Sequence, residues 1–183
     1  MRMTTDDDEL AMRAGAGDAQ AFRVLLERHY DRVYRLSLRF FGNKADAEDL
    51  TQDVCLALPK KLRSFAGRSR FTTWLYQVVI NACRDQARSR TSRRMLNENY
   101  SEVSEMARAD QRDTDERVRW LYGALEQLSP TLRETAILVL GEELTHAQAG
   151  EALGIKETTV SWRMHELRKE LKTLANADDG ELT

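Results

Sequence analysis

Apolar residues recur at helical spacing along most of the chain, and no stretch shows the strict alternation of a half-buried strand. From Ala21 onward, Phe22, Leu25, Leu26, Tyr30, Val33, Tyr34, Leu38 and Phe41 mark one long amphipathic helix. Gly42 and Asn43 follow it, and both residue types favour helix C-termini. A second helix is predicted from near Asp46, with Leu50, Val54, Ala57 and Leu58 as its apolar face. Asp46, Glu48, Asp49, Gln52 and Asp53 make the remainder acidic, and acids in a first helical turn suit the helix dipole. Pro59 is expected to end or kink this helix. The loop "SFAGRSRF", centred on Gly67, leads into "RFTTWLYQVVINACRDQAR". On a helix, Phe71, Trp74, Leu75, Val78, Val79 and Ala82 share an inward face, while Gln77, Asn81, Arg84 and Arg88 fall four, three and four apart on another.

From Thr91 to about Thr114 the pattern turns polar and weakly periodic, which reads as a linker. Beyond it, Val118, Leu121, Tyr122, Leu125 and Leu128 give one helix. Ser129 and Pro130 start another, with Ser as N-cap and Pro at the first helical position, running through Leu132, Ala136, Leu138 and Leu140. Then comes "LTHAQAGEALGIKETTVSWRMHELRKEL". Thr145 and Gln148 form a capping box, Gly154 suits a left-handed turn, and Ile155 plugs the corner. Val160, Met164, Leu167 and Leu171 make one buried stripe, leaving Thr158, Ser161, Trp162, Arg163, His165, Arg168 and Lys169 outward. A short helix, a tight glycine turn and a helix with a basic and hydroxyl-bearing face form the helix-turn-helix pattern. A plain helical hairpin is the alternative, and Glu157, Glu166 and Glu170 favour it because they repel phosphates. Trp162 suits a core position and a DNA-facing one equally well.

The expected fold is therefore all-α: two small helical domains joined by a flexible linker. Residues 1–17 form a polar N-terminal tail, 18–92 the first domain, 93–114 the linker, 115–175 the second domain and 176–183 a polar C-terminal tail.

Charge sharpens this picture. The net charge of −2 by itself argues against nucleic-acid binding. Its distribution along the chain argues the other way. Asp6, Asp7, Asp8 and Glu9 sit at the start, whereas Lys60, Lys61, Arg63, Arg68, Arg70, Arg84, Arg88, Arg90, Arg93 and Arg94 share the middle span with a single acid, Asp85. A local basic surface attracts phosphate whatever the global sum. Aromatics beside a positive groove suit single-stranded nucleic acid, because rings stack on unpaired bases. An amide such as Asn81 can read a base edge. Phe71 and Trp74 serve equally well as core. Cys55 and Cys83 lack metal-ligand spacing and read as small buried hydrophobes. No metal or cofactor site is expected. No carboxylate cluster, phosphate loop or nucleophile triad points to an enzyme. The longest clean apolar run, Ala136–Leu140, is far too short to span a membrane, and no signal peptide opens the chain, so a cytoplasmic protein is expected.

"DAEDLTQDVCLALPKKLRSFAGRSRFTTWLYQVVINACRDQAR" resembles region 2 of bacterial sigma factors, and "LSPTLRETAILVLGEELTHAQAGEALGIKETTVSWRMHELRKEL" resembles their region 4. The order and the separating linker match the small extracytoplasmic-function (group IV) class of the sigma-70 family. The resemblance implies a subunit that binds core RNA polymerase, through the β′ clamp helices and the β flap, and directs promoter recognition and melting. Asp46, Glu48, Asp49, Gln52 and Asp53 would bind core. Arg68, Arg70, Phe71, Trp74, Tyr76, Asn81, Arg84 and Arg88 would bind the −10 single strand, with Asn81 near the flipped base. Lys156, Thr158, Thr159, Ser161, Trp162, Arg163, His165 and Lys169 would face the −35 duplex. An anti-sigma factor is a further implied partner. Some positions depart from the family pattern. Cys55 stands where an aromatic is common, Pro59 interrupts the core-binding helix, and Trp162 and Glu166 depart on the reading helix. Ala149 and Gly150 replace a larger pair, which predicts weaker packing, since glycine inside a helix costs about 1 kcal/mol. The rival readings are a stand-alone helix-turn-helix regulator, which leaves the acidic helix without a role, a nucleic-acid-processing enzyme, and an interaction module with no DNA role.

Overall fold

The computed structural model of the chain describes residues 6–96, 123–125 and 127–180. Every regular element among them is helical. They fall into two compact units.

The first unit is built on α1 (Asp7–Gly15), α2 (Ala19–Phe41) as far as Leu38, α3 (Lys44–Leu62) and α4 (Phe71–Leu96). Helix α1 corrects the expectation of a polar tail over residues 1–17. Its three acids, Asp7, Asp8 and Glu9, fill the first turn, where they favour the helix dipole. Leu10, Ala11 and Ala14 are buried, and the helix packs on α3 and α4. A helix of nine residues is marginal alone, so this tertiary burial supports it. Helix α2 ends at Gly42, whose φ of +71° only glycine adopts freely.

Helix α3 starts at Lys44 and runs through Pro59 to Leu62, so Pro59 does not terminate it. Proline in a helix interior costs about 3 kcal/mol. Leu58 and Leu62 flank Pro59 and are both buried, and burial of a leucine returns roughly 1.5–3 kcal/mol each. Pro59 itself is exposed. Helix α4 continues past Arg88 to Leu96, so residues 93–96 belong to it and not to a linker. The rest of the expected linker lies outside the described residues.

The second unit contains residues 123–128 and α5 (Pro130–Ala136), α6 (His146–Leu153) and α7 (Glu157–Gly180). Leu125 and Leu128 are buried; Val118, Leu121 and Tyr122 lie outside the described residues. Ser129 takes the N-cap position with Pro130 behind it, but its side chain makes no capping hydrogen bond. After Ala136 the helix widens into a π-helical turn, Ile137–Gly141. The changed residue-per-turn count breaks the 3.6-residue stripe, and Leu140 emerges 59% exposed while Leu138 stays buried. The capping box at Thr145 is present in both directions, and Gly154 sits at φ +69°. Val160, Met164 and Leu167 form the buried stripe of α7, which extends through residues 176–180 of the expected tail.

Candidate partner and nucleic-acid interfaces

Glu48, Asp49, Gln52 and Asp53 are exposed along α3. Asp49, Gln52 and Asp53 form one wall of a cleft whose other wall is Asn81, Asp85, Gln86 and Arg90 of α4. Gln86 turns its Oε1 inward, where it finds no hydrogen-bond partner among the described residues. Leaving a buried acceptor unpaired costs about 1–3 kcal/mol.

Asp46 departs from its expected role. Both its carboxylate oxygens accept hydrogen bonds from Arg90, and its side chain is only 16% exposed. The bond to Asp46 raises the pKa of Arg90 above the ordinary arginine value. This pair ties α3 to α4, so Asp46 is occupied within the unit and not displayed beside Asp49. Cys55 is half-buried, and burial pushes its thiol pKa up, which keeps it neutral.

The loop between α3 and α4 spans residues 63–70, with Gly67 at φ +64° and Arg63, Arg68 and Arg70 exposed. Two of the expected DNA-stacking aromatics are corrected. Phe71 is fully buried and Tyr76 is 5% exposed, so neither ring can stack on a base. Phe71 lies on the inward stripe of α4, and Tyr76 lies on a second buried face of the helix with Ile80 and Cys83; burial of large rings dominates their placement. Trp74 is half-buried. It meets Phe65 and Phe71 at ring-centroid distances of 5.4 and 5.9 Å, and Phe65 lies edge-on to Phe71 at 6.1 Å. The rings thus form a floor under the loop. Asn81 stands exposed on α4, accepting a hydrogen bond from Arg84 at 3.1 Å. Arg88 is exposed and pairs with Asp85 at 2.8 Å.

Two residues here escaped the sequence reading. Phe65 is buried, and its signal was a lone aromatic in a polar loop. His29 is 6% exposed, four residues from Leu25 and from Val33 on the buried stripe of α2, and edge-on to Phe71 at 5.1 Å. Arg32 donates to His29 Nδ1 at 3.2 Å, which leaves the proton on Nε2, 2.8 Å from Asp7 Oδ2. Burial pushes the His29 pKa below its usual value, more than the Asp7 carboxylate raises it. Burial also raises the Asp7 carboxyl, but the bonds from Arg28 and His29 outweigh it and hold the pKa below the ordinary range.

In the second unit, Thr158, Trp162, His165 and Lys169 are exposed at spacings of four, three and four on one face of α7. Trp162, ambiguous by pattern, is 61% exposed. Lys156 and Ser161 are exposed beside this face, and Thr159 is half-buried. Ser161 and the His146 Nδ1 share a 2.9 Å hydrogen bond between α7 and α6. Arg163, half-buried, lies one position, about 100°, around the helix from Trp162. Its guanidinium turns to α5, within 3.5 Å of the Thr131 carbonyl and the Thr135 hydroxyl. Gly150 also reads differently in three dimensions. A Cβ there would lie 2.8 Å from the Ile155 carbonyl, and Ile155 N–H donates to the Gly150 carbonyl at 2.9 Å. The turn needs glycine for this close approach, so the position tightens the corner that the sequence pattern suggested it would loosen.

The described residues hold no cluster of metal-ligating side chains and no helix long and apolar enough to cross a membrane.

The sigma-70 region 2 family model matches residues 25–93, and the sigma-70 region 4 model matches residues 124–173. The chain is 36% identical over 152 residues to the ECF RNA polymerase sigma factor SigE of Mycolicibacterium smegmatis, covering 81% of this chain and 59% of that relative. It is 30% identical to the RNA polymerase sigma factor NccH of Alcaligenes xylosoxydans xylosoxydans, covering 92% of this chain and 94% of the relative. Its fold is similar to that of CnrH, solved in complex with the cytosolic domain of CnrY, with a TM-score of 0.69 at 24% identity over 94% of this chain and 98% of that one. It is also similar to the sigma factor RpoE of Bartonella quintana, solved with the anti-sigma factor NepR, with a TM-score of 0.68 at 21% identity over 87% of this chain and 99% of that one. The two matched regions fall in order on the two helical units, and a relative of almost the same extent is matched nearly end to end; the chain belongs to the sigma-70 family of RNA polymerase sigma factors, in its extracytoplasmic-function group.

Proposed function

We propose that the surfaces of the two units divide the work of a sigma factor, which binds core RNA polymerase and directs it to promoters. The exposed acids of α3, Glu48, Asp49 and Asp53 with Gln52, dock on the basic clamp helices of the β′ subunit. The loop 63–70 and the outward face of α4 receive the −10 strand: Arg68 and Arg70 meet phosphates, and Asn81 faces the flipped base. Flipping a base costs a few kcal/mol, so a pocket that stabilises the extruded base makes melting selective. Trp74 lends its exposed edge, while Phe71 and Tyr76 support it from the core. The second unit places Thr158, Trp162, His165 and Lys169 in the −35 major groove, and the β flap holds this unit on the enzyme. The chain supplies no reacting group; core polymerase makes the RNA. It works in the cytoplasm, where that enzyme acts. Two structures of similar fold were solved in complex with a second protein, one of them an anti-sigma factor, and a regulator of the anti-sigma kind is proposed for this chain as well.

The observation that carries this reading is the placing of two exposed surfaces in one unit: an acidic face on α3, Glu48, Asp49 and Asp53 with Gln52, and across a cleft from it the exposed amide of Asn81 on α4. The test is the affinity of the purified chain for core polymerase, wild type beside Asp49→Lys. Tight binding that the variant loses at least tenfold is the expected result. No binding to core, with duplex DNA bound by the free chain, would replace this reading with that of a stand-alone regulator.

A further inference from the structure

The region 2 match begins at residue 25, so α1 lies outside it. Even so, α1 touches the loop 63–70 at its start, its tip and its end. At the start, Gly15 passes so close to the last carbonyl of α3 that a Cβ there would stand 2.5 Å from the Leu62 oxygen. At the tip, the Met12 sulfur lies 3.8 Å from the position of a Cβ on Gly67. At the end, Asp8 Oδ1 accepts a 2.5 Å hydrogen bond from the backbone N–H of Phe71.

That last contact has a particular logic. Phe71 is the first residue of α4, so its N–H has no partner inside the helix. The residue before it is Arg70, whose side chain has no acceptor and cannot cap. Asp8 supplies from a different helix the carboxylate that a good N-cap residue would supply, and its charge faces the positive end of the α4 dipole. A loop held at three points by one helix has fewer conformations to lose when a strand arrives.

We infer that α1 is a positioning element for −10 recognition, in which Asp8, Met12 and Gly15 brace loop 63–70 in the shape that receives the unpaired strand. This rests on the assignment of that loop to the −10 strand. Helix α1 itself need not touch DNA.

The experiment uses the full chain reconstituted with core polymerase. The probe is single-stranded DNA selected by the wild-type holoenzyme from a randomised pool. Affinity for core, affinity of the holoenzyme for the probe, the −10 base preference on repeated selection from that pool, and the −35 preference on selection from a randomised duplex pool are measured for four variants. Asp8→Ala should weaken probe binding about three- to tenfold and broaden the −10 preference, the size expected for a lost helix cap. Core affinity and the −35 preference should hold. Asp8→Asn should restore probe binding, because its amide oxygen accepts the same hydrogen bond. Met12→Ala, at a residue 57% exposed and so safe for folding, should give a smaller loss in the same direction. Arg68→Ala reports on the loop itself. If it weakens probe binding while Asp8→Ala and Met12→Ala do not, the brace is refuted and the loop assignment stands. If none of the variants alters probe binding, the loop assignment fails and takes the brace with it. Equal losses of core and probe affinity in Asp8→Ala, without rescue by asparagine, would reduce α1 to general support of the fold and overturn the inference.

Discussion

Replacing His29 by Gln tests how the first unit closes over its most buried titratable ring. His29 is 6% exposed. It faces Asp7 from α1, Arg28 and Arg32 from its own helix, and Phe71 from α4. Burial lowers its pKa in the folded state, whereas an unfolded histidine titrates near 6.5. Between those two values the unfolded chain binds one proton more than the folded chain. The stability tied to His29 is therefore fully present above pH 6.5. It declines as the pH falls through 6.5 toward the folded value, with a slope of at most about 1.4 kcal/mol per pH unit. Glutamine cannot titrate but still offers Asp7 an N–H donor. At pH 8 the variant should lose about 1–3 kcal/mol, from the weakened bond to Asp7 and poorer packing on Phe71. As the pH falls from 7 to 5, the gap between wild type and variant should narrow, because only the wild type loses stability from this group. Asp7 stays ionised throughout that window, since its folded pKa lies below the ordinary value of 3.8. Urea unfolding at pH 8, 7, 6 and 5 measures the gap. Trp74 fluorescence in a Trp120→Phe, Trp162→Phe background confines the signal to the first unit. A constant gap would refute a buried neutral imidazole, and a widening one would show a charged His29 paired with Asp7.

Gly150→Ala should lower the melting temperature of the second unit by an amount equivalent to about 1–3 kcal/mol, because the new Cβ meets the Ile155 carbonyl at 2.8 Å. Helix propensity alone predicts a gain of up to about 1 kcal/mol, so a raised melting temperature would show that the turn yields. Asn81→Ala should leave core binding and stability unchanged, since Asn81 is exposed, yet reduce open complexes, scored by permanganate reactivity of unpaired promoter thymines. Normal promoter opening would remove Asn81 from the −10 pocket. Asp46→Asn should weaken the tie to Arg90 and cost about 0.5–2 kcal/mol, discounted for the exposure of Arg90, while core affinity stays near wild type. A loss of core affinity as large as that of Asp49→Lys would return Asp46 to the docking face.

Local pattern by itself determined the long helix ending at Gly42, the capping box at Thr145, the left-handed Gly154 and the stripe Val160, Met164 and Leu167. Each rests on residues within a few positions of one another, where helical period and turn sterics act without help from the rest of the chain. Tertiary structure decided the other outcomes. Three buried apolar residues could not announce α1 among its acids, because the surface that covers them belongs to other helices. Pro59 stays helical because Leu58 and Leu62 are anchored in the core on either side. Phe71 looked equally suited to a base or a core, Tyr76 was expected at the −10 strand, and only the packing of α4 buried both. Asp46 and Arg163 carry the right charge in the right segment, but each has its partner on another helix, Arg90 and the Thr131–Thr135 edge. A side chain's type fixes what it can bind, and its period fixes which side of a helix it occupies. Whether that side meets solvent, DNA or another helix depends on contacts between distant parts of the chain, which no local pattern encodes.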